Sequence, residues 1–146
     1  MDEANALLPE LEEAFMALEG RKAELERRVD RLKILDALWG EGIQDPANPD
    51  REEFLTTRAG VRRTLQEIER TVEERILAHG VRFPQGGLEH GLVDFPTTWE
   101  GRVVFLCWQR GEEELEAWHE VHGGFRGRRP LTPEQAVRMG REGRGD

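Results

Sequence analysis

Asp94, Cys107, Glu112, His119, Glu120, His122 and the arginines Arg126 and Arg128 are the residues whose types and spacing could do chemistry. They crowd into a segment otherwise made of core residues, and functional sites are where local rules are broken. His119 and His122 are three apart, which aligns them on a helix but puts them on opposite faces of a strand. A shared metal therefore requires the strand to end between them. His119-Glu120-Val121-His122 falls one residue short of the His-Glu-x-x-His spacing of zinc peptidases, and a lone Cys offers no zinc ribbon. The two histidines are weak metal candidates beside the plainer reading of a His119 packed in the core with one hydrogen bond, and no cofactor is expected.

Cys107 on a central strand reads as a small buried apolar residue rather than a nucleophile. Asp94 is flanked by Val93 and Phe95 in a strand, where Asp is disfavoured, and it needs a partner. Arg102, Arg126 and Arg128 are the candidate donors, in a structural ion pair or around a ligand. Arg126, Arg128 and Arg129 lie beside Gly123, Gly124 and Gly127, a combination suited to a small anionic ligand, although no Walker or dinucleotide motif strengthens it. Glu112, Glu113 and Glu114 cluster at a turn, where solvated charge is the ordinary outcome. Ser and Tyr are absent, so serine triads and tyrosine acids are excluded, leaving Thr, Cys107 or a carboxylate as covalent nucleophiles.

Two helices and a sheet must position these groups. Leu8, Leu11, Phe15, Leu18, Leu25, Val29 and Leu32 step by three and four, predicting helix one over residues 2–39 with a coiled-coil-like seam. Gly40 to Pro49 reads as a reversing loop. Asp50 with Glu53 fits a capping box opening helix two, over 50–79, whose stripe of Phe54, Val61, Leu65, Ile68, Val72 and Ile76 ends at Gly80. A long antiparallel helical hairpin follows.

Beyond Val81 the composition turns to that of strands, predicted near 91–95, 102–109 and 114–121 with short glycine-containing connections: a three-stranded antiparallel meander. Parity then sorts Val93, Phe95, Val104, Leu106, Trp108, Leu115, Ala117, His119 and Val121 onto one face. Leu92, Asp94, Phe105, Cys107, Glu116, Trp118 and Glu120 fall on the other. Trp108 should be core, whereas Trp118 beside Phe105 on the mixed face is capped or forms a contact surface. Trp39 at the end of helix one and Trp99 in a turn are expected to be buried by neighbours. Thr132-Pro133-Glu134-Gln135 opens a short helix, and Gly140 to Asp146 reads as a flexible tail. The expectation is α+β, one domain over 1–131, then helix and tail over 132–146.

At 146 residues, 35% of them charged, with a formal charge of −9, two independent cores are not expected. The acidic balance opposes nucleic-acid binding, leaving a basic adaptor segment from Arg126 to Arg144 the least favoured reading. The N-terminal MDEANALLPE lacks a basic region and a long apolar run, so membrane insertion finds no support and a cytoplasmic location is expected.

Glu3-Ala4-Asn5-Ala6-Leu7-Leu8-Pro9, Gly91-Leu92-Val93-Asp94-Phe95-Pro96, Leu106-Cys107-Trp108 with Gly111-Glu112, and Trp118-His119-Glu120 before Gly127-Arg128 carry a resemblance. From about Asp2 to Leu131 the chain resembles a small bacterial family known as domain of unknown function 2203. The resemblance implies a signature lying in the sheet, with helices that vary; it implies no activity and transfers no catalytic or binding residue.

These observations lead to the expectation of a non-enzymatic interaction module. The helical hairpin makes a homodimer, and the sheet offers Asp94, Phe105 and Trp118 to a protein partner. The rival is a small enzyme or a metal- or anion-dependent binder using Asp94, Glu112, His119 and Arg128.

Overall fold

The computed structural model describes residues 1–141 and is α+β. Helix α1 runs over Asp2–Trp39, with Pro9 inside it and Gly40 at φ +55° just beyond its end. A 3-10 turn, Gly40–Gln44, leads toward α2, Arg51–Thr71, which continues without a break as a π-helical turn, Val72–Ile76, and a 3-10 turn, Leu77–His79. Gly80, at φ +80°, closes that run in the left-handed conformation expected of a C-terminal glycine.

Contacts gather into two compact units, Met16–Glu73 and Met1–Phe15 with Glu74 onward. In the first unit, α1 and α2 exchange contacts whose numbers rise on one helix as they fall on the other. Arg21 pairs with Glu67 at 3.0 Å, Arg31 grips Glu53, and Trp39 Nε1 donates to Asp50 Oδ2 at 2.8 Å. These contacts replace the expected capping box. Asp50 makes no side-chain cap because Trp39 holds its carboxylate, and Glu53 is turned to Arg31 instead of the helix start.

The second unit holds a four-stranded antiparallel sheet in the order β1-β2-β3-β4: Leu92–Trp99, Arg102–Gln109, Ala117–Glu120 and Arg129–Pro130. The expected three-strand meander is corrected in three respects. The strand begun near Gly91 does not stop at Phe95 but runs to Trp99, because β1 is an edge where Pro96 forfeits no ladder bond. Its turn is only Glu100 and Gly101, both at positive φ, the geometry that suits a two-residue hairpin. Trp99 is therefore a buried strand residue and not part of a turn. A fourth strand pairs Pro130 with Ala117 and Arg129 with Trp118.

The third correction reverses a face. The connection after β2 spans residues 110–116, not the four expected, so β3 starts at Ala117 with Phe105 opposite His119 and Leu106 opposite Trp118. Trp118 thus joins Val93, Phe95, Leu106 and Trp108, while Ala117 and His119 join Asp94, Cys107 and Phe105. The first of these faces is covered by the opening turns of α1: Phe15 meets Trp108 at 6.0 Å between ring centroids, and Leu8, Leu11 and Ala14 are buried. Asn5 Oδ1 accepts from Leu115 N at 2.7 Å, tying the helix to the long connection.

Helix α3, Gly87–His90, precedes β1, and α4, Pro133–Arg138, starts where the sequence places it, with a capping box between Thr132 and Gln135. Met139 is buried and Gly140 N donates to Thr98 O at 3.0 Å, so the predicted tail begins as chain held against β1. Residues 142–146 lie outside the described range.

Two glycines should respond differently to alanine. At Gly60 a Cβ would meet the terminal atoms of Arg28, a flexible side chain able to move, so the helix-propensity gain of about 1 kcal/mol offsets the displaced contact. At Gly87 it would come within 2.7 Å of the Leu92 carbonyl and 2.8 Å of Pro84 Cδ, neither of which can yield easily. Urea denaturation should find Gly60→Ala within about 0.5 kcal/mol of the parent and Gly87→Ala destabilised by about 1–3 kcal/mol.

Candidate functional site

Asp94, Cys107 and His119 come from three successive strands and project from one face, all three fully buried. Their donor atoms lie within 4.8 Å of one another. Asp94 Oδ1 is 2.9 Å from His119 Nε2, and the other ring nitrogen, Nδ1, is 2.7 Å from the Glu120 carbonyl oxygen. A carbonyl oxygen only accepts, so Nδ1 carries a proton and donates it. Nε2 is thereby turned to the Asp94 carboxylate.

Arg82, which precedes the sheet, was not singled out in the sequence and supplies the second contact to Asp94. Its backbone bridges Asp94 in both directions, at 3.0 and 2.8 Å, and its Nε donates to Oδ2 at 3.4 Å. Its guanidinium lies 3.6 Å from the Phe105 ring centroid, and Phe105 stacks on His119 with centroids 5.7 Å apart. The available signal was local: Val81-Arg82-Phe83 is a charged residue between apolar ones, framed by Gly80 and Gly86. None of the three expected arginines reaches Asp94. Arg102 is engaged by Glu120 and Glu100, and Arg128 by Glu112.

That second pair is close by. Arg128 Nη2 donates to Glu112 Oε1 at 2.5 Å and to the Cys107 carbonyl at 3.2 Å, so Cys107 is touched by one polar pair through its backbone and lies beside the other through its side chain. Glu112 is fixed in turn by the Gln109 amide, and its own carbonyl accepts from Trp108 Nε1 at 2.9 Å. Arg128 Nε is buried without a partner. Glu112 is thus not the solvated turn charge its neighbours suggested.

The other predicted residues stand apart. Phe105 and Trp118 are buried at 7% and 4% exposure, on opposite faces, so the expected contact surface made of the two does not form. Arg129 lies over Trp118, 5.1 Å from its ring, and 3.9 Å from Glu120. Arg126 is exposed, and Arg128 and Arg129 are held by different acids, Glu112 and Glu120. His122 sits exposed in the turn after β3, outside the group formed by His119. Glu120 is held below the usual carboxylate range by its hydrogen bond from Arg102.

Cys107 is shielded from water, and burial, followed by the nearby charge of Asp94, pushes its thiol up to about 11. It is not an activated nucleophile.

The chain matches the family described as "Uncharacterized conserved protein (DUF2203)" over residues 1–131 and belongs to that family. No curated protein and no solved structure matches it. Asp94, Cys107, Glu112, His119 and Arg128, all within the segments that resemble the family, are drawn together by the sheet and the loops at its end.

Two outcomes are expected. Removing one member of the buried pair, as in Asp94→Ala, should cost about 3–5 kcal/mol in chemical denaturation because its partner is left without compensation. For Cys107 the folded state holds the thiol proton more tightly than the unfolded chain, so its contribution is intact below the ordinary thiol range. It is lost as pH climbs from about 9 toward about 11, amounting to about 2–3 kcal/mol. Denaturation at pH 8 and pH 11 should show that loss in the parent, and Cys107→Ala should lose less by that amount.

Proposed function

We propose that this chain is a non-enzymatic, self-associating binding module whose helical unit forms a coiled-coil-like antiparallel hairpin and pairs with a second copy of itself. The observation that carries the reading is the uncovered apolar stripe in Met16–Glu73. Leu25, Val29 and Leu32 on α1, with Phe54, Val61 and Ile68 on α2, are only half-buried. Ile34, Leu38 and Leu65 are 49%, 65% and 49% exposed. Two helices cannot cover both of their apolar sides, whereas four can, and exposed stripes of this kind are where subunits meet.

Charge favours a second copy as the occupant. Residues 16–73 carry 11 Lys and Arg against 13 Asp and Glu, a formal −2 within a chain of −9, so two such surfaces approach with little repulsion. Among the described residues no helix is long and apolar enough to cross a membrane. A cytoplasmic, bacterial setting accords with the single cysteine and with the family resemblance.

A second reading, a metal- or anion-dependent ligand site using Asp94, Glu112, His119 and Arg128, is favoured by one observation. These four residues make two adjacent polar pairs on either side of Cys107, and one of them leaves Arg128 Nε buried and unpartnered.

Light scattering at micromolar concentration should return twice the 16.8 kDa chain mass. Leu38→Glu combined with Leu65→Glu, both at exposed positions, should return a monomer with unchanged helicity. A monomeric parent would end the self-association reading.

A further inference from the structure

Zinc-type coordination draws on nitrogen, sulfur or oxygen donors converging from rigid elements, a supported ligand geometry and a charge balance that survives burial. We propose that Asp94, Cys107 and His119 form a binding site for a thiophilic divalent transition metal of the Zn²⁺ class, with one coordination position left for a water or an exogenous ligand. The inference deepens the ligand-site reading above and rests on it.

Three observations converge on this site. The donors are one carboxylate, one thiol and one imidazole, a mixed set that suits zinc and not the oxygen-seeking Mg²⁺ or Ca²⁺. They stand on adjacent strands in fixed register, Asp94 opposite Cys107 and His119 two residues beyond the Cys107 partner Ala117, with all donor atoms within 4.8 Å of one another. Drawing them onto one ion takes about an ångström of side-chain adjustment, given metal–ligand bonds of about 2.0–2.3 Å.

His119 is already held as a ligand would be. Its Nδ1 donates to the Glu120 carbonyl, the outer-shell hydrogen bond that fixes the tautomer and ring of a metal-bound histidine, and this aims Nε2 at Asp94. A methyl built on Gly123 would stand 3.4 Å from the His119 Cβ, so the chain after β3 passes close to the base of that side chain.

The charges balance as well. A carboxylate and a thiolate bring two negative charges to a dication and a neutral imidazole adds none, so the coordinated set is neutral. The charge of Asp94 that disfavours the free thiolate is then answered by a cation at the same place. Arg82 over Asp94 Oδ2 has a side chain 45% exposed, so the cover on this cluster is a long surface residue able to swing outward and admit an ion.

Cobalt(II) alone is the probe, since a thiolate–cobalt bond announces itself by charge-transfer absorption. Titration of the chelator-treated full chain should give one equivalent of bound cobalt with that band, displaced by zinc. Cys107→Ala, which leaves only a small cavity, should remove the band and weaken binding by about tenfold or more, as should His119→Gln if its circular dichroism shows it folded. Absence of saturable binding by the folded parent, or an unchanged band in Cys107→Ala, overturns the proposal. Calorimetry with inorganic phosphate separates the two levels. Cobalt failing while phosphate binds, and is lost in Arg128→Gln, overturns the metal site and keeps the ligand-site reading; failure of both probes removes both.

Discussion

A buried carboxylate on an edge strand is the constraint from which the sheet unit is organised. Asp94 has no exposure and would be costly to bury alone. Its compensation comes from His119, two strands away, and from Arg82, which precedes the sheet. For His119 to reach it, β3 must pair with β2 so that His119 faces Phe105. A slip of one residue would put Trp118 or Glu120 toward Asp94 and send His119 to the side that α1 covers. The pair therefore selects a register as well as contributing an interaction.

That dependence explains what could be read in advance. The helices follow from short-range periodicity, and the α+β class, the end of helix one near Trp39, the Gly80 stop and the Thr132 cap all have local causes. The pairing of β1 with β2 was legible for the same reason, since the connection was bounded by Gly101 and the two apolar runs aligned. The third strand was not. Its parity depends on the length of the preceding connection, and that length is set by contacts distant in sequence. Asn5 takes the Leu115 amide, while Trp108 takes the Glu112 carbonyl, holding residues 110–116 out as a loop where composition suggested a tight turn. An acidic run that looked solvated is thus pinned at Glu112, and the face assignment of Trp118 and His119 inverts.

The site was legible in its membership more than in its pairing. Asp94, Glu112, His119 and Arg128 could be named because each is a polar residue in an apolar context. The partners could not, because Asp94 had several arginines of equal sequence plausibility and the one it uses sits before the sheet begins. Cys107 reads from the sequence as an ordinary small core residue, and its raised thiol agrees. Its position nonetheless joins the two polar pairs, one through its backbone carbonyl and the other across the sheet face.

Stability alone is a weak reason for such a pair. Hydrophobic residues of matching volume commonly replace a buried ion pair at no loss, so the Asp94–His119 contact need not hold the sheet better than a pair of aliphatic side chains would. What an aliphatic pair could not do is distinguish registers, because on a sheet buried on both faces an apolar residue is satisfied on either side. With Phe105, Leu106, Ala117 and Trp118 all tolerating burial, polarity at Asp94 and His119 is what makes one alignment of β3 unique. The same requirement leaves three different donor side chains converging in a dry interior, with the Arg82 side chain against Asp94 at their edge. An arrangement selected for register thereby acquires the chemistry of a site.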